Sequence, residues 1–450
     1  MSAISQEPVI VLGNGLSGSL MAVYLAKRGF NVHVYERRPD MRRTDISAGK
    51  SINLAISVRG LHALREVGIE DRILEVCIPM RGRMMHDRQG NLTYQSYSKD
   101  GVTAINSVSR GDLNKELMTL AESHPNVKFH FNQRCTGMNL ETGEVTLRDE
   151  DTGREYTAKG QTIIAADGAF SGARPALYRT SRFDYSQVFL PHGYKELEIP
   201  PAPGGGWRME KNALHIWPRG EFMLIALPNM DGSYTVTLFF PFEGERSFSS
   251  LNSPEKVEAF FREMYPDALE LMPNLREDFF SNPTGELVTV KCRPWSYKGT
   301  LALVGDAAHA VVPFYGQGMN AAFEDCTVMN ECLEGFDGNW EKVFQRYQNA
   351  RIANGHAIAD MANENYYEMR DKVGDPVWLF RKKVEHLLEA RFPGKYVSRY
   401  EMISFTRTPY AEAMRRGAIN ESILDSLCVG LENPEAVDMV LAEKLIEELL

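Results

Sequence analysis

Residues 9–18 read V-I-V-L-G-N-G-L-S-G, four apolar residues followed by glycines at the G-x-G-x-x-G spacing. The apolar run predicts a buried parallel strand. Residues 17–29 predict a helix that ends on glycine. Between them Gly13 permits a tight turn, Gly15 lets the backbone approach a pyrophosphate, and Gly18 lets helix and strand pack closely. The helix N-terminus then faces the phosphates. The next run, V32-H-V-Y-E36, predicts a second strand ending on an acid, where a carboxylate holds the ribose hydroxyls of an adenosine. Gly13, Gly15, Leu16, Gly18, Glu36 and the adjoining Arg37 are therefore candidate dinucleotide-binding residues.

Residues 8–26 carry no charge and are long enough to span a membrane. No basic segment precedes them, only Glu7, and they divide into a β-rich half and a helix-prone half around the glycines. The nucleotide reading is preferred, and no signal peptide is found.

Further helices are predicted at 59–67, ending at Gly68, and at about 112–123. From 180 to 285 the pattern changes. W207-R-M209, A213-L-H-I-W217, F222-M-L-I-A-L227 and Y234-T-V-T-L-F-F240 are β-rich runs separated by Gly, Pro and Asn turns. From about Asn320 onward the chain reads as mostly helical, with breaks at 374–376 and 393–394, and the acidic run 431–450 predicts an amphipathic surface helix. The expected fold class is α/β. A Rossmann-like nucleotide domain would lie in three pieces, 1–75, 105–180 and 285–335. An inserted antiparallel β-sheet substrate domain would take 76–104 and 181–284, and a helical C-terminal region 336–450.

A chain of 450 residues is long enough for two or three such domains. Its net charge of −10 argues against a nucleic-acid partner. Six cysteines, none in a C-x-x-C pair, suggest neither a metal site nor a disulfide framework, and read as reduced thiols of a cytoplasmic protein.

G-x-G-x-x-G alone does not separate FAD from NAD(P). Two further segments do so by resemblance. Gly305-Asp306, after the apolar run L301-A-L-V304, resembles the ribityl-binding motif of the FAD-dependent aromatic hydroxylases. Ala166-Asp167-Gly168 resembles their D-G motif, near both FAD and the reducing cofactor, and S109-R-G-D-L113 their arginine position beside the flavin. Taken singly, Asp306 fits a helix N-cap and Asp167 an Asp-Gly turn. The segment from Pro313 to Asn320, which reads PFYGQGMN, opens a helix whose N–H groups suit the negative charge that a reduced flavin collects. The resemblance adds Ala55, Arg110, Asp167, Asp306, Gly318, Met319 and Asn320 to the FAD set. No second strand–glycine–helix unit is visible, since Gly204, Gly205 and Gly206 form a loop. The reductant, NADPH or NADH, would then visit the flavin without a Rossmann domain of its own.

G49-K-S-I-N-L-A-I-S-V-R-G60, R81-G-R-M-M-H-D87, Y94-Q-S-Y-S-K-D-G101, N365-Y-Y-E-M-R-D371 and Y400-E-M-I-S-F405 resemble the kynurenine 3-monooxygenases, and the likeness runs from the first strand to about Ala418. It implies hydroxylation of L-kynurenine to 3-hydroxy-L-kynurenine by O2, activated at C4a of a reduced FAD, in tryptophan degradation. Arg83 would take the substrate carboxylate as a planar cation. Tyr97, Asn365 and Tyr400 would add polar contacts, and Phe314, Tyr315 and Met369 would line the pocket. Without the resemblance, Arg83 reads as one of a surface run with Arg81 and Arg88, and the two tyrosines as half-buried core. The substrate's own amine activates its ring, so no catalytic acid or base is assigned, and His86 and His309 are left out.

The family's eukaryotic members carry a C-terminal membrane anchor. No apolar run of that kind follows Tyr400, so a protein without an anchor, of bacterial type, is expected. The alternative is another single-component FAD hydroxylase acting on a phenol or heteroaromatic acid. A flavin halogenase would carry W-x-W-x-I-P, which is absent, and a redox-sensing flavoprotein would need a partner surface that the sequence does not display. Oligomeric state and the choice between NADPH and NADH are left open.

Overall fold

The computed structural model describes residues 7–44, 53–98, 101–372 and 375–450. Residues 49–52 and 99–100 of two motifs above, and residue 374 of the break at 374–376, lie outside the described residues. The chain divides into two compact units. The first comprises Met1–Glu75, Val108–Phe189 and Val288–Ala359, and the second Val76–Ser107, Leu190–Leu287 and Asp360–Leu450. The helical region expected at 336–450 is shared between them, for the 28-residue helix Trp340–Tyr367 runs from one unit into the other.

In the first unit the run at 9–12 is the strand Val9–Leu12, buried at all four positions. It lies between Val32–Tyr35 and Thr162–Ala165, parallel to both. Among the described residues this sheet has the order Ser296–Tyr297, Leu301–Leu303, Thr162–Ala165, Val9–Leu12, Val32–Tyr35, Val127–His130. Only the Ser296–Tyr297 edge is antiparallel. Such central strands are covered on both faces, which is why they read as unbroken apolar runs. The helix Leu16–Lys27 follows the glycine turn, and Arg110–Glu122 opens on Ser109, whose hydroxyl accepts from Asp112 N at 3.3 Å. The ends of three consecutive strands are thereby gathered beside the turns at 13–18, 166–168 and 305–306.

The second unit is built on a seven-stranded sheet whose long strands Asp184–Ile199 and Thr284–Arg293 continue into the first unit's sequence. The expected runs appear as Ala213–Pro218, Met223–Pro228 and Tyr234–Pro241, joined antiparallel. Two details differ. Ala213–Pro218 also pairs with Gly82–His86, and this pair is parallel. The two strands are more than a hundred residues apart, so no hairpin dictates their sense. Trp207–Met209 is not a strand: Gly204, Gly205 and Gly206 all hold positive φ, and Trp207 Nε1 donates to Asn229 O at 2.9 Å from a loop. The sheet packs Trp217, Leu224, Val236 and Leu238 against Val257, Phe261, Met264 and Phe279 of two helices. A smaller core, with Val384, Leu388, Tyr396, Ile423 and Ile446, joins the C-terminal helices Pro376–Arg391, Tyr410–Leu427 and Met439–Leu449. Among the described residues no helix is long and apolar enough to cross a membrane.

Candidate active site

The glycine turn shows why its spacing is fixed. Gly13 has φ +89°, and a β-carbon there would come within 2.6 Å of Ala166 O. A β-carbon on Gly18 would overlap the Gly13 carbonyl oxygen, whereas one on Gly15 would meet nothing within 4 Å. Two glycines thus let the chain fold onto itself, and the third faces open space at the start of a helix. Neither a side-chain cap nor an acidic residue occupies the first turn of Leu16–Lys27. That leaves its N–H groups and dipole to an anion. Glu36 is buried, with Oε2 accepting from Asn14 N at 2.8 Å and Oε1 from Arg38 N at 3.0 Å and Nε at 2.9 Å. Leu16 is half-buried and Arg37 exposed.

Asp167 holds its own turn: Oδ2 accepts from Gly172 N at 2.7 Å and Ala173 N at 3.2 Å. Its Oδ1 is buried and has no hydrogen-bond partner. Burial raises this carboxyl above the usual range, against the pull of Ser171 and the backbone donors. Asp306 opens the short helix Asp306–His309, yet no side-chain cap bond forms at that helix start. It too is raised by burial, with Arg110 and His309 pulling the other way. The N-cap explanation therefore does not account for Asp306, and the turn explanation accounts for half of Asp167.

The helix Gly318–Cys332 begins without a side-chain cap or an acidic first turn. Gly318 has room for a β-carbon, which would stand 3.4 Å from Val311 Cγ2. Met319 and Ala55 are half-buried. Asn320 is fully buried, and its amide binds protein backbone: Oδ1 accepts from Ser57 N at 2.9 Å, and Nδ2 donates to Ala55 O and Gly316 O, each at 2.9 Å. It ties the strand Asn53–Ile56 to this helix.

Behind Gly305 lies a charge network that sequence reading missed. Asp325, 0% exposed, accepts from Gly305 N at 3.0 Å, His309 Nε2 at 2.5 Å and Arg351 Nε at 2.7 Å. Arg351 NH1 continues to Glu324 at 2.6 Å, and Glu324 to Arg59 Nε at 3.1 Å. Burial opposes the charge of Asp325, but His309 and Arg351 outweigh it and hold the carboxyl low. His309 stacks on Trp295 with ring centres 4.9 Å apart. The sole sequence signal was the E-D pair at 324–325 in an otherwise apolar helix start.

These features fit FAD. The open face at Gly15, two uncapped helix starts and the orphaned Asp167 Oδ1 are what a group with phosphates and hydroxyls would complete. Bound there, the flavin supplies the redox and oxygen chemistry that no side chain of this chain provides.

In the second unit the structure brings Arg83, Tyr97 and Tyr400 together. The Tyr97 and Tyr400 rings stack, centres 5.2 Å apart at 14°. The Arg83 guanidinium carbon lies 5.5 Å from the first ring centre and 5.2 Å from the second. Arg83 Nε is shut off from water and has no hydrogen-bond partner. Burial works against the cation, yet Tyr97, Tyr400 and Glu368 more than offset it, and the guanidinium pKa lies above its ordinary value. Asn365 and Met369 are buried, on the end of Trp340–Tyr367 and on the π-helical turn Glu368–Lys372 that follows. Phe314 and Tyr315 are buried in the first unit, on the 3-10 turn Pro313–Tyr315. His86 proves to be part of a buried chain, its Nδ1 2.7 Å from Asp267 and its Nε2 2.8 Å from His215 Nδ1.

A family model described as FAD binding domain matches residues 6–359. A kynurenine 3-monooxygenase of Myxococcus xanthus is 52% identical over 450 residues, covering 100% of this chain and 97% of the relative. The kynurenine 3-monooxygenase of Dictyostelium discoideum is 48% identical and is aligned over the whole of both chains. Among solved structures, tetrameric 2-methyl-3-hydroxypyridine-5-carboxylic acid oxygenase superposes with TM-score 0.66 at 20% identity, over 83% of this chain and 95% of that one. The tetracycline destructase Tet(51) gives 0.59 at 20%, over 83% and 94%. The structural likenesses establish the fold, and the full-length relatives establish that this chain belongs to the kynurenine 3-monooxygenase family of FAD-dependent monooxygenases.

Proposed function

We propose that this chain hydroxylates L-kynurenine to 3-hydroxy-L-kynurenine, with FAD as cofactor, NAD(P)H as reductant and O2 as oxidant. One observation carries the substrate assignment: a protonated arginine held against two stacked tyrosines, with its buried Nε left without an acceptor. An unmatched guanidinium donor beside two phenols suits a carboxylate that arrives with the substrate. In this reading Arg83, Tyr97, Asn365 and Tyr400 bind the amino-acid end, and Phe314, Tyr315 and Met369 serve the aromatic ring. Gly13, Gly15, Leu16, Gly18, Glu36, Arg37, Ala55, Arg110, Asp167, Asp306, Gly318, Met319 and Asn320 serve FAD, with Asn320 acting through the backbone that it ties.

The protein's tasks are to orient the ring and to exclude water, so that activated oxygen reaches carbon and is not lost as hydrogen peroxide. We place the enzyme in the cytoplasm, a reading supported by its six free thiols, and off the membrane, since among the described residues no helix is long and apolar enough to cross one. The test is to purify the yellow protein and follow NADPH and NADH oxidation with and without L-kynurenine. Stimulated oxidation with 3-hydroxykynurenine as product is expected. No stimulation, or hydrogen peroxide alone, rejects the proposal.

A further inference from the structure

We propose that Glu389 is a positioning residue for substrate recognition: its buried carboxylate clamps the start of the helix Arg399–Ser404 and so sets the Tyr400 ring against Arg83. This rests on the reading above, that Arg83 and Tyr400 take the substrate's carboxylate end.

Tyr400 is the second residue of a helix only six residues long. A helix of that length does not hold itself and is fixed by what grips its ends. Its first turn is gripped from three neighbouring helices. From Pro376–Arg391, Glu389 Oε1 accepts from the Ser398 backbone N–H at 2.9 Å. From Tyr410–Leu427, Asn420 Nδ2 donates to Val397 O at 2.8 Å, and Gly417 lies so close under Arg399 that a β-carbon there would come within 2.5 Å of Arg399 Cδ. From Trp340–Tyr367, Glu364 pairs with Arg399 NH1 at 2.9 Å. Ser398 then caps the helix, its hydroxyl accepting from Glu401 N at 3.2 Å.

Glu389 stands out in this set because it is a carboxylate, 3% exposed, beside an apolar core that includes Leu388, Phe392 and Tyr396. An ion buried there is costly unless its bonds are well made, and an apolar residue would pack the same space with less penalty. What the carboxylate adds is direction. One oxygen fixes the Ser398 N–H, and the other lies 3.2 Å from His386 Nδ1. Burial opposes its ionisation, but His386 and Ser398 outweigh that and hold the carboxyl down at about 2. The acceptor is therefore fully charged wherever the enzyme works.

The test uses the FAD-loaded enzyme and L-kynurenine, with Kd read from the change in flavin absorbance without turnover, and KM and kcat measured beside it. Glu389→Ala is expected to raise Kd and KM about tenfold, the worth of one hydrogen bond to a charged group, with kcat and FAD content unchanged. Glu389→Gln, which keeps an acceptor for Ser398, is expected to recover most of the loss. In a Tyr400→Ala background the Glu389→Ala effect should vanish. If Tyr400→Ala alone binds kynurenine as the parent does, the substrate reading fails. If Tyr400→Ala weakens binding but Glu389→Ala leaves Kd within twofold, or still costs tenfold in the Tyr400→Ala background, the clamp is overturned. Should Glu389→Ala not fold, Ser398→Pro removes the same N–H at a φ of −63° that proline adopts, with Ser398→Ala as control for the cap. Equal Kd for those two variants also overturns the clamp.

Discussion

Replacing Arg83 with methionine separates recognition from stability. In the free protein the guanidinium has two ring contacts, at 5.5 and 5.2 Å from the ring centres. Each is worth about 0.5–2 kcal/mol, depending on how dry it is. Against this stands a buried Nε without an acceptor, which costs about 1–3 kcal/mol. The terms nearly cancel, so Arg83→Met should change folding stability by no more than about 1 kcal/mol. For a chain of 450 residues that is an unfolding midpoint moved by only about 1 °C. Ligand binding is different, because on the proposed reading the substrate carboxylate loses the partner of a charged pair. Such truncations cost about 2–5 kcal/mol. Arg83 is only half-buried, so the lower end applies, and the Kd for L-kynurenine should rise about 30- to 150-fold. The assay is a pair of titrations, with L-kynurenine and with its decarboxylated analogue. The parent enzyme should prefer the carboxylate by that factor, and Arg83→Met should bind the two alike while keeping its FAD. A variant that still discriminates by more than a few-fold would show that the carboxylate is bound elsewhere. A midpoint lowered by about 3 °C or more would show Arg83 to be a strut of the fold.

Asp325→Asn leaves Arg351 and His309 short of a buried charge and should cost about 3–5 kcal/mol in urea unfolding, with reduced FAD content; a parent-like midpoint with full flavin would refute its role. Gly18→Ala should destabilise the apoprotein as well as weaken FAD binding, because its methyl overlaps Gly13 O. Gly15→Ala, which meets nothing within 4 Å, should weaken FAD binding alone, and apoprotein melting beside flavin titration checks the pair. For pH, the Glu389 carboxyl lies at about 2, below its ordinary 4.5, so its contribution is present above about pH 4.5 and is lost as pH falls toward 2. His386, faced by Glu389, Glu385 and Lys382, is raised above 6.5 by its bond to Glu389, so its contribution is full below pH 6.5 and is lost as pH rises through the raised value. Hydrogen exchange of the segment around Ser398 should therefore be slowest between about pH 4.5 and 6.5, after correction for intrinsic rates, and His386→Gln should remove the upper limb. An unchanged profile in that variant refutes the assignment.

What the sequence discloses depends on whether backbone or side chains carry the contact. Phosphate binding is done by N–H groups, and close approach there admits only glycine. The spacing of Gly13, Gly15 and Gly18 is therefore forced and visible, and the strand and helix around it fall within a residue or two of their expected places. The segments at 167–168 and 305–306 are picked out by family likeness, because an Asp beside a Gly alone also fits a turn or a helix start. The same holds for Arg83, Tyr97 and Tyr400: nothing in an arginine-rich run or in two scattered tyrosines announces that they meet, and family likeness alone selects them. Trp207 misleads because a β-prone aromatic follows three glycines whose positive φ ends any strand. Arg351 and Arg59 give no signal, and the Glu324–Asp325 pair only a faint one, because a buried ion network spread over three helices has the same spacing as solvated helix charges.

Two of the buried atoms without partners belong to residues proposed to bind ligands. A buried polar group without a partner costs a fold about 1–3 kcal/mol. Asp167 Oδ1 is an acceptor beside the glycine turn that fits FAD, and Arg83 Nε is a donor between phenols. They are of opposite kinds: the acceptor suits a hydroxyl-rich cofactor, and the donor suits an anionic substrate. On the proposed reading each cost is offset when its ligand binds. The two offsets are separable, since Arg83→Met should leave FAD in place, and Asp167→Ala should weaken FAD binding while leaving the contacts among Arg83, Tyr97 and Tyr400 unaltered.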